Sequence, residues 1–282
     1  MGATCALVVG RCQTYDCFEG TGFLKMAIRK KKNLRQEGSS ATSEQMKCRD
    51  TLEQMFWDTP LPRSDLMFNL GLYVRSSLLV KFIVLHELYE RIQEVPGAIV
   101  EFGVWWGQNM VLLENLRAIH EPFNKQRPII GFDTFSGYAK FSGKDRKQGA
   151  LSDGTYATPK AYKKYLEGLL SVHEGSNVLG HSSGNHRLVE GDIEKTVPKY
   201  FTDHPETIVA LAYFDIGLYR PTRAALAAIK PHLVPGSVIL FDELTWQGAP
   251  GEAIAFMEIL KDARYRIEKC RFYPSKSIVT LQ

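Results

Sequence analysis

The chain lacks any apolar run of the roughly 18–20 residues that a membrane-spanning helix requires. It also lacks a recognisable secretory signal, because the apolar stretch at residues 5–10 is short and no basic residue precedes it. Both absences argue against a membrane partner, and we expect a cytoplasmic protein.

Cysteine is scarce beyond the first 48 residues. Four of the five cysteines lie at positions 5, 12, 17 and 48, and Cys270 stands far from them. An odd number without regular spacing argues against a disulfide framework and against a zinc site. We therefore expect a reducing, intracellular environment.

A strong overall charge is also absent, since 35 Lys and Arg residues stand against 31 Asp and Glu residues. Six of the basic residues lie at positions 25–35 with no acid among them, and the remaining charges sum to −2. This run could be an anion-binding segment or a solvated tail. We predict a tail, with residues 1–47 as a disordered basic extension. No basic stripe with interleaved aromatic residues occurs elsewhere, so no nucleic-acid partner is expected.

The rest of the chain has a globular composition, with 44% hydrophobic and 23% charged residues overall. Between residues 66 and 95 there is no proline, apolar residues such as Leu72, Leu79 and Leu88 recur at helical spacing, and Pro96-Gly97 ends the pattern. Residues 48–97 therefore predict a helical cap before a core at residues 98–282. The stretch at residues 138–186 is too long for a simple connection and predicts an insertion in that core, either a lid over the acceptor or a surface insertion.

Short apolar stretches alternate with helical stretches throughout the core. The predicted strands are residues 98–102, 128–132, 187–190, 208–214 and 237–241. The predicted helices are residues 108–119, 159–173, 194–201, 221–230 and 250–263, with Thr158 as an N-cap before Pro159. Two more strands, residues 265–272 and 276–281, follow with no helix between them. The pattern predicts an α/β fold with a mostly parallel sheet that ends in an antiparallel hairpin.

Ligands in open α/β sheets bind beyond the carboxyl ends of the strands, so the residues after each strand are the site candidates. The first strand runs into Gly103 and Gly107, which permit either close ligand approach or an ordinary tight turn. Asp133 after the second strand could hold a ribose or cap its own loop. Asp192 and Ile193 after the third strand could flank an adenine, or Asp192 could be a helix N-cap.

Three carboxylates follow the fourth and fifth strands: Asp215, Asp242 and Glu243. Unpaired carboxylates at adjacent strand ends would repel one another, and a divalent cation would relieve this repulsion. An all-oxygen ligand set favours Mg²⁺, Mn²⁺ or Ca²⁺. Separate caps, or salt bridges to Arg220 and Arg223, are the alternative.

Together these strand ends resemble a class I S-adenosylmethionine-dependent methyltransferase, and in particular the macrocin O-methyltransferase family of metal-dependent sugar-tailoring enzymes. The resemblance covers about residues 66–282. The segments that carry it are VEFGVWWGQN (100–109), GFDTFSG (131–137), EGDIEKTVP (190–198), YFDIGLYRPTRAAL (213–226) and LVPGSVILFDE (233–243). It implies a Rossmann-like methyltransferase fold with a seven-stranded sheet and helices on both faces.

The resemblance also implies roles for single residues, with S-adenosylmethionine and Mg²⁺ or Mn²⁺ as cofactors. The cofactor-binding residues would be Glu101, Gly103, Val104, Gly107, Gln108, Asn109, Asp133, Thr134, Asp192 and Ile193. The metal ligands would be Asp215, Asp242 and Glu243, with Asp215 also catalytic. Two positions depart from the family pattern: Gly217 stands where a second acid is usual, and Glu243 where Asp is usual.

The predicted function is O-methyl transfer from S-adenosylmethionine to a hydroxyl of a small sugar or natural-product acceptor. The general base stays open among His181, His186 and Asp153, and Arg75 is a candidate partner for the cofactor carboxylate. The alternatives are a nicotinamide-dependent dehydrogenase, which Trp105 at the usual middle glycine disfavours, and a cofactor-binding partner of a hydroxylase-type enzyme. A homodimer through the N-terminal helices is a further expectation.

Overall fold

The structure is a computed structural model that describes residues 41–124, 126–138, 141–145, 153–177, 186–248 and 250–282. Most of the predicted extension at residues 1–47 lies outside these ranges, as do His181 and parts of the predicted insertion. No helix within the described ranges is long and apolar enough to cross a membrane.

Seven strands form one sheet. They are β1 (Ala98–Phe102), β2 (Ile129–Asp133), β3 (His186–Glu190), β4 (Val209–Phe214), β5 (Leu233–Phe241), β6 (Tyr265–Lys269) and β7 (Ser277–Leu281). Their order across the sheet is β3-β2-β1-β4-β5-β7-β6. The pairs among β1 to β5 are parallel, whereas β7 pairs antiparallel with both β5 and β6. The predicted fold class, including the terminal hairpin, is therefore confirmed.

Eight α-helices surround the sheet in the described ranges. They are α1 (Ser43–Trp57), α2 (Arg63–Leu66), α3 (Ser76–Arg91), α4 (Gln108–His120), α5 (Tyr162–Ser176), α6 (Ile193–Asp203), α7 (Tyr219–Ile229) and α8 (Gly251–Ile259). Short 3₁₀ turns occur at Leu70–Tyr73 and Lys230–His232.

Helices cover both faces of the sheet, as the mostly apolar central strands predict. On one face, α3, α4 and α5 bury Leu88, Leu113 and Leu170 against the sheet. On the other face, α6, α7 and α8 bury side chains such as Val197 and Leu226. All residues of β1 and β4 are buried. The two central strands are therefore shielded from water on both faces.

A row of four phenylalanines crosses the sheet just before the strands end: Phe132, Phe102, Phe214 and Phe241. Neighbouring ring centroids are 5.4, 4.5 and 5.0 Å apart. All four side chains are fully buried. This apolar layer aligns the carboxyl ends of β2, β1, β4 and β5 and separates the polar residues that follow from the core.

Several predicted boundaries differ from the structure. Helix α5 begins at Tyr162 instead of Pro159, because the Thr158 hydroxyl donates to the Phe135 carbonyl (3.0 Å) instead of capping a helix. Helix α7 begins at Tyr219, two residues before Pro221. Strand β5 already begins at Leu233.

The predicted helical cap is discontinuous. Helix α1 starts at Ser43, inside the predicted extension, and a 3₁₀ turn interrupts the helical pattern before α3. Leu88 is buried as its spacing predicts, whereas Leu72 and Leu79 are 64% and 49% exposed. Only the second half of α3 therefore packs on the sheet.

Arg127 joins the end of this cap to the core. Its guanidinium donates to the carbonyls of Ile92, Val95 and Gly97 and pairs with Glu121. The arginine side chain is 2% exposed. These bonds satisfy carbonyls that the turn between α3 and β1 leaves without helix or sheet partners.

Candidate active site

The carboxyl ends of β1 to β5 meet at one cavity of about 270 Å³. Its lining includes most of the predicted site residues, namely Gly103, Asp133, Thr134, Asp192, Ile193, Asp215, Asp242 and Glu243. Because the strand order is β3-β2-β1-β4-β5, these residues lie side by side at the carboxyl ends of the strands, in the spatial order Asp192, Asp133, Gly103, Asp215 and Asp242. The cofactor-type residues therefore lie toward β3, and the three acids lie toward β5.

Gly103 makes the close approach between β1 and β4 possible. Its φ is +94°, and a Cβ atom at this position would overlap the backbone carbonyl of Asp215. The Asp215 amide in turn donates to the Phe102 carbonyl at 2.9 Å. Only glycine satisfies both requirements, so the predicted role of Gly103 in shaping the backbone agrees with its geometry.

Asp133 organises two strained turns. One carboxylate oxygen accepts the Trp105 amide (2.8 Å), and the other accepts the Phe135 amide (2.6 Å). Trp105 and Phe135 have φ values of 50° and 52°, which non-glycine residues rarely adopt. Loop capping and ribose binding are compatible, because each carboxylate oxygen has a second lone pair. Thr134 closes the same loop by donating to the Gly137 carbonyl at 2.8 Å.

Asp192 is the N-cap of α6, since its carboxylate accepts the Glu194 amide at 3.1 Å. Its side chain also lines the cavity, next to Ile193, which is 6% exposed. The capping alternative is thus correct, and the other carboxylate oxygen lies 3.9 Å from the exposed Lys195 ammonium and retains lone pairs for a ligand.

Five predicted cofactor residues do not line the cavity: Glu101, Val104, Gly107, Gln108 and Asn109. Val104 packs in the core, Gln108 is exposed, and Gly107 is the left-handed N-cap of α4 with a φ of 75°. The roles predicted for these five residues stay predictions.

Glu101 and Asn109 form a buried polar pair beneath the cavity. The Asn109 amide donates to Glu101 at 2.7 Å, whereas the other Glu101 oxygen has no hydrogen-bond partner in the described part of the chain. Burial raises the pKa of Glu101 to about 8. A buried acid with a free oxygen is suited to receive a positively charged or donating group from a ligand.

The three acids after β4 and β5 differ in their surroundings. Asp242 forms an ion pair with Lys276, which is 7% exposed and also donates to the Tyr213 hydroxyl at 3.1 Å. Burial, the nearby Glu252 and Asp215 together raise the pKa of Glu243 to about 8. Lys276 therefore compensates the charge of Asp242, whereas no lysine or arginine of the described ranges forms an ion pair with Glu243.

These acids fit a divalent cation by donor type and by charge, but not by their present spacing. Across the residues that the structure describes, no three His, Cys, Asp or Glu side chains are grouped closely enough to hold a metal ion. Asp242 would have to leave Lys276 before it could join Asp215 and Glu243 around an ion. The metal site stays a prediction.

Aromatic side chains form one wall of the cavity. Tyr156 lies edge-on to Trp105 and to Tyr138, with ring centroids 5.4 and 5.3 Å apart. Tyr156 also has a positive φ of 69°. Burial, followed by Glu243 and Asp215, raises the pKa of Tyr138, so its hydroxyl is a hydrogen-bond donor near neutral pH. These rings give this side of the cavity apolar surfaces.

The candidate bases are not brought to the cavity in the described ranges. His186 begins β3, and its ring lies 3.3 Å from Glu174 of α5. Asp153 is exposed, and Arg75 precedes α3; neither of them lines the cavity.

Two functional candidates escaped sequence reasoning: Lys276 and Glu252. Lys276 directly precedes β7, and Glu252 lies in α8, so neither follows a parallel strand. Lys276 is the first residue of the predicted antiparallel strand at residues 276–281, and the observed pairing of Phe241 with Ser277 places it near the end of β5. This position in the sequence could have indicated that Lys276 lies near the site. No comparable feature of the sequence pointed to Glu252.

A Rossmann-like sheet with this order and with acids and glycines at these strand ends defines the class I methyltransferases. The sequence profile of the macrocin O-methyltransferase (TylF) family matches residues 81–264. The chain belongs to this family and is a methyltransferase of the O-methyl-transferring, natural-product tailoring type. The nicotinamide dehydrogenase alternative is thereby wrong.

Solved structures agree with this assignment. The chain is 37% identical to the calicheamicin methyltransferase CalS11, with a TM-score of 0.80 over 86% of this chain and 94% of that chain. An apo structure of CalS11, described as a TDP-rhamnose 3′-O-methyltransferase, is 35% identical, with a TM-score of 0.73 over 86% and 96% of the two chains. The O-methyltransferase NovP, at 15% identity and a TM-score of 0.50 over 72% and 80%, shares the fold. A search of curated protein sequences found no match.

Proposed function

We propose that the chain transfers the methyl group of S-adenosylmethionine to a hydroxyl of a small sugar-type acceptor. The single observation that carries the proposal is the shared cavity at the strand ends. Cofactor-type residues after β1, β2 and β3 and the acids after β4 and β5 line the same space. A methyl donor and a hydroxyl acceptor can therefore lie side by side within it.

In this reaction the carbon–sulfur bond of the sulfonium breaks and an oxygen–carbon bond forms, so that S-adenosylmethionine and the hydroxyl yield S-adenosylhomocysteine, a methyl ether and one released proton. Because the sulfonium methyl is already activated, the protein mainly has to align the hydroxyl with it. Asp215 follows β4, between the cofactor-type residues and Glu243. We assign Asp215 to the orientation of that hydroxyl.

We propose a nucleotide-linked deoxysugar as the acceptor class. The relative CalS11 is described as acting on TDP-rhamnose. The aromatic wall of Trp105, Tyr138 and Tyr156 provides flat apolar surfaces on which a sugar ring can pack. The cavity is thus lined for a ligand with a ring and several hydroxyls.

The proposal includes a divalent cation, Mg²⁺ or Mn²⁺, held by Asp215, Asp242 and Glu243. Its support is the oxygen-only donor set and the environment of Glu243, whose pKa is raised to about 8 by burial and by the neighbouring acids, a shift that a bound cation would oppose. When bound, such an ion would lower the pKa of a coordinated hydroxyl. Chelation with EDTA should then abolish turnover, and added Mg²⁺ should restore it. Full turnover after exhaustive chelation would remove the metal from the proposal.

Two measurements test the reaction. S-adenosylhomocysteine should bind in calorimetry, and TDP-rhamnose or a related TDP-deoxysugar should be methylated. Asp215→Asn should reduce turnover at least 100-fold and change S-adenosylhomocysteine affinity less than about threefold. The control Asp203→Asn, an exposed acid of α6 paired with Lys199, should keep wild-type turnover. If S-adenosylhomocysteine does not bind, the proposed enzyme function is refuted.

The same measurements distinguish the alternative of a cofactor-binding partner protein. Such a protein would bind S-adenosylhomocysteine, methylate no acceptor, and be indifferent to Asp215→Asn.

The homodimer also stays a proposal. The exposed apolar side chains of Trp57, Phe68 and Leu72 support it. Light scattering on the full chain tests it.

A further inference from the structure

Glu252 is a buried carboxylate with three backbone partners. It lies in the first turn of α8 and is 0% exposed. One oxygen accepts the amides of Gly217 (3.2 Å) and Ile216 (3.4 Å), and the other accepts the amide of Glu243 (3.0 Å). All three of these partners are backbone amides, so backbone dipoles solvate this carboxylate.

The three amides belong to two different loops of the cavity. We call residues 215–218 the β4 loop and residues 242–248 the β5 loop. The sheet ladder joins their strands up to the pair Phe214 and Phe241 and the bond from the Asp242 amide to the Phe214 carbonyl. Beyond that bond the loops leave the sheet, and Glu252 connects them there.

Local packing holds Glu252 in this position. Gly251 precedes it, and a Cβ atom at Gly251 would lie 2.5 Å from the Tyr219 nitrogen and 3.0 Å from the Gly217 carbonyl. The start of α8 therefore rests directly on the β4 loop. Gly217 itself has a φ of +68°, and a Cβ there would lie 2.7 Å from the Glu243 carboxylate. The two loops thus have little space to shift independently.

We propose that Glu252 is a positioning residue that sets the spacing between Asp215 and Glu243 across the acceptor side of the cavity. The inference rests on the proposed function, because it assigns the acids their part in acceptor binding. A displacement of about 1 Å between reacting groups costs on the order of 100-fold in rate. A single carboxylate that holds both loops thus supports the alignment without touching either substrate.

The variant Glu252→Gln tests the proposal with almost no change in volume. A glutamine has one acceptor oxygen and an NH₂ group, so it can accept from one loop but presents a donor to the amide of the other. Glu252→Asp is a second variant, since its arm is one methylene shorter and cannot span both loops. Glu114→Gln is the matched control, because Glu114 is also 0% exposed on a helix, yet pairs with Arg117 away from the cavity lining.

Hydrogen exchange measured by mass spectrometry on the full chain without ligands is the first readout. Peptides that contain residues 216–217 and 243 should exchange at least tenfold faster in Glu252→Gln, whereas the peptide with Asp133 should not change. Unchanged exchange in both loops overturns the proposal. This readout requires no turnover, so it decides the proposal even if the proposed enzyme function fails.

Kinetics with TDP-rhamnose is the second readout. In Glu252→Gln and Glu252→Asp, kcat should fall at least tenfold, while S-adenosylhomocysteine affinity stays within about threefold of wild type. Glu114→Gln should lose thermal stability but keep kcat when it is assayed well below its melting temperature. Equal kcat loss in the control, or a parallel loss of S-adenosylhomocysteine affinity in both Glu252 variants, would show a general structural role and overturn the proposal.

Discussion

Glu101 should make the stability of the ligand-free protein fall as the pH rises. Its carboxyl is fully buried on β1, and burial raises its pKa to about 8 from 4.5. Lys81 and the Asn109 hydrogen bond act in the opposite direction, while Asp215 and Asp133 raise the pKa further. Removing this carboxylate should therefore stabilise the folded state at neutral and alkaline pH.

The sign follows from proton binding. Between pH 4.5 and about 8 the unfolded chain releases the Glu101 proton, whereas the folded chain retains it. The unfolded state is therefore stabilised relative to the folded state as the pH rises, by roughly 1.4 kcal/mol per pH unit. From pH 5 to pH 7.5 the free energy of unfolding therefore falls by about 3 kcal/mol because of Glu101, and above pH 8 this penalty no longer increases.

Glu101→Gln removes this penalty and keeps an oxygen for the Asn109 amide. Urea unfolding without ligand should show that the stability difference between variant and wild type shifts in favour of the variant by about 3 kcal/mol from pH 5 to pH 7.5. The comparison between the two proteins cancels the titration of the other acids. A difference that is constant within about 0.5 kcal/mol across this range would refute the reasoning.

Glu114→Gln is the contrasting control. Glu114 is equally buried, but Arg117 (2.7 Å) and Asn177 (3.0 Å) bind its carboxylate. Its loss leaves the Arg117 guanidinium with fewer partners, so this variant should be less stable than wild type at pH 5 and at pH 7.5.

Three further substitutions test the geometry of the strand ends. Gly103→Ala should lower the melting temperature by at least about 5 °C and weaken S-adenosylhomocysteine binding tenfold. The control is Gly168→Ala in α5, where a Cβ atom meets nothing within 4 Å, and its melting temperature should be unchanged or higher. Asp133→Asn should weaken the same binding at least tenfold, because one of its two backbone partners then faces an NH₂ group; unchanged calorimetric affinity would contradict this. Arg127→Met should cost about 3 kcal/mol in urea unfolding, because it removes the cation paired with Glu121 and a donor to each of three carbonyls. A loss below about 1 kcal/mol would contradict the proposed anchor.

The fold was largely predictable because its signals are local. Residues 208–214 are apolar at every position, and residues 98–102 are apolar except for Glu101; this pattern is typical of strands buried on both faces. Helix starts were less predictable, since Thr158 has a capping side chain but uses it on the distant Phe135 carbonyl. Propensity describes what a residue can do, and the contacts of the folded chain decide which option it takes.

The candidate site was predictable as far as it follows parallel strands. Gly103, Asp133, Asp192 and Asp215 come directly after their strands, and the topology of an open sheet then brings them to one cavity. The carboxylates at Asp242 and Glu243 were identified in the same way. Their different environments were not, because Lys276 and Glu252 come from an antiparallel strand and a helix.

The amino-acid sequence by itself determined the alternation of strands and helices, the terminal hairpin and the residues placed at the strand ends. These features depend on hydrophobic periodicity and on chain order, which are present in the unfolded chain as well. Only the tertiary structure decided which acid is paired, which is buried without a counter-charge and which oxygen holds two loops together. Those properties depend on distances and burial among residues far apart in the chain, as between Asp242 and Lys276 or Glu252 and Gly217.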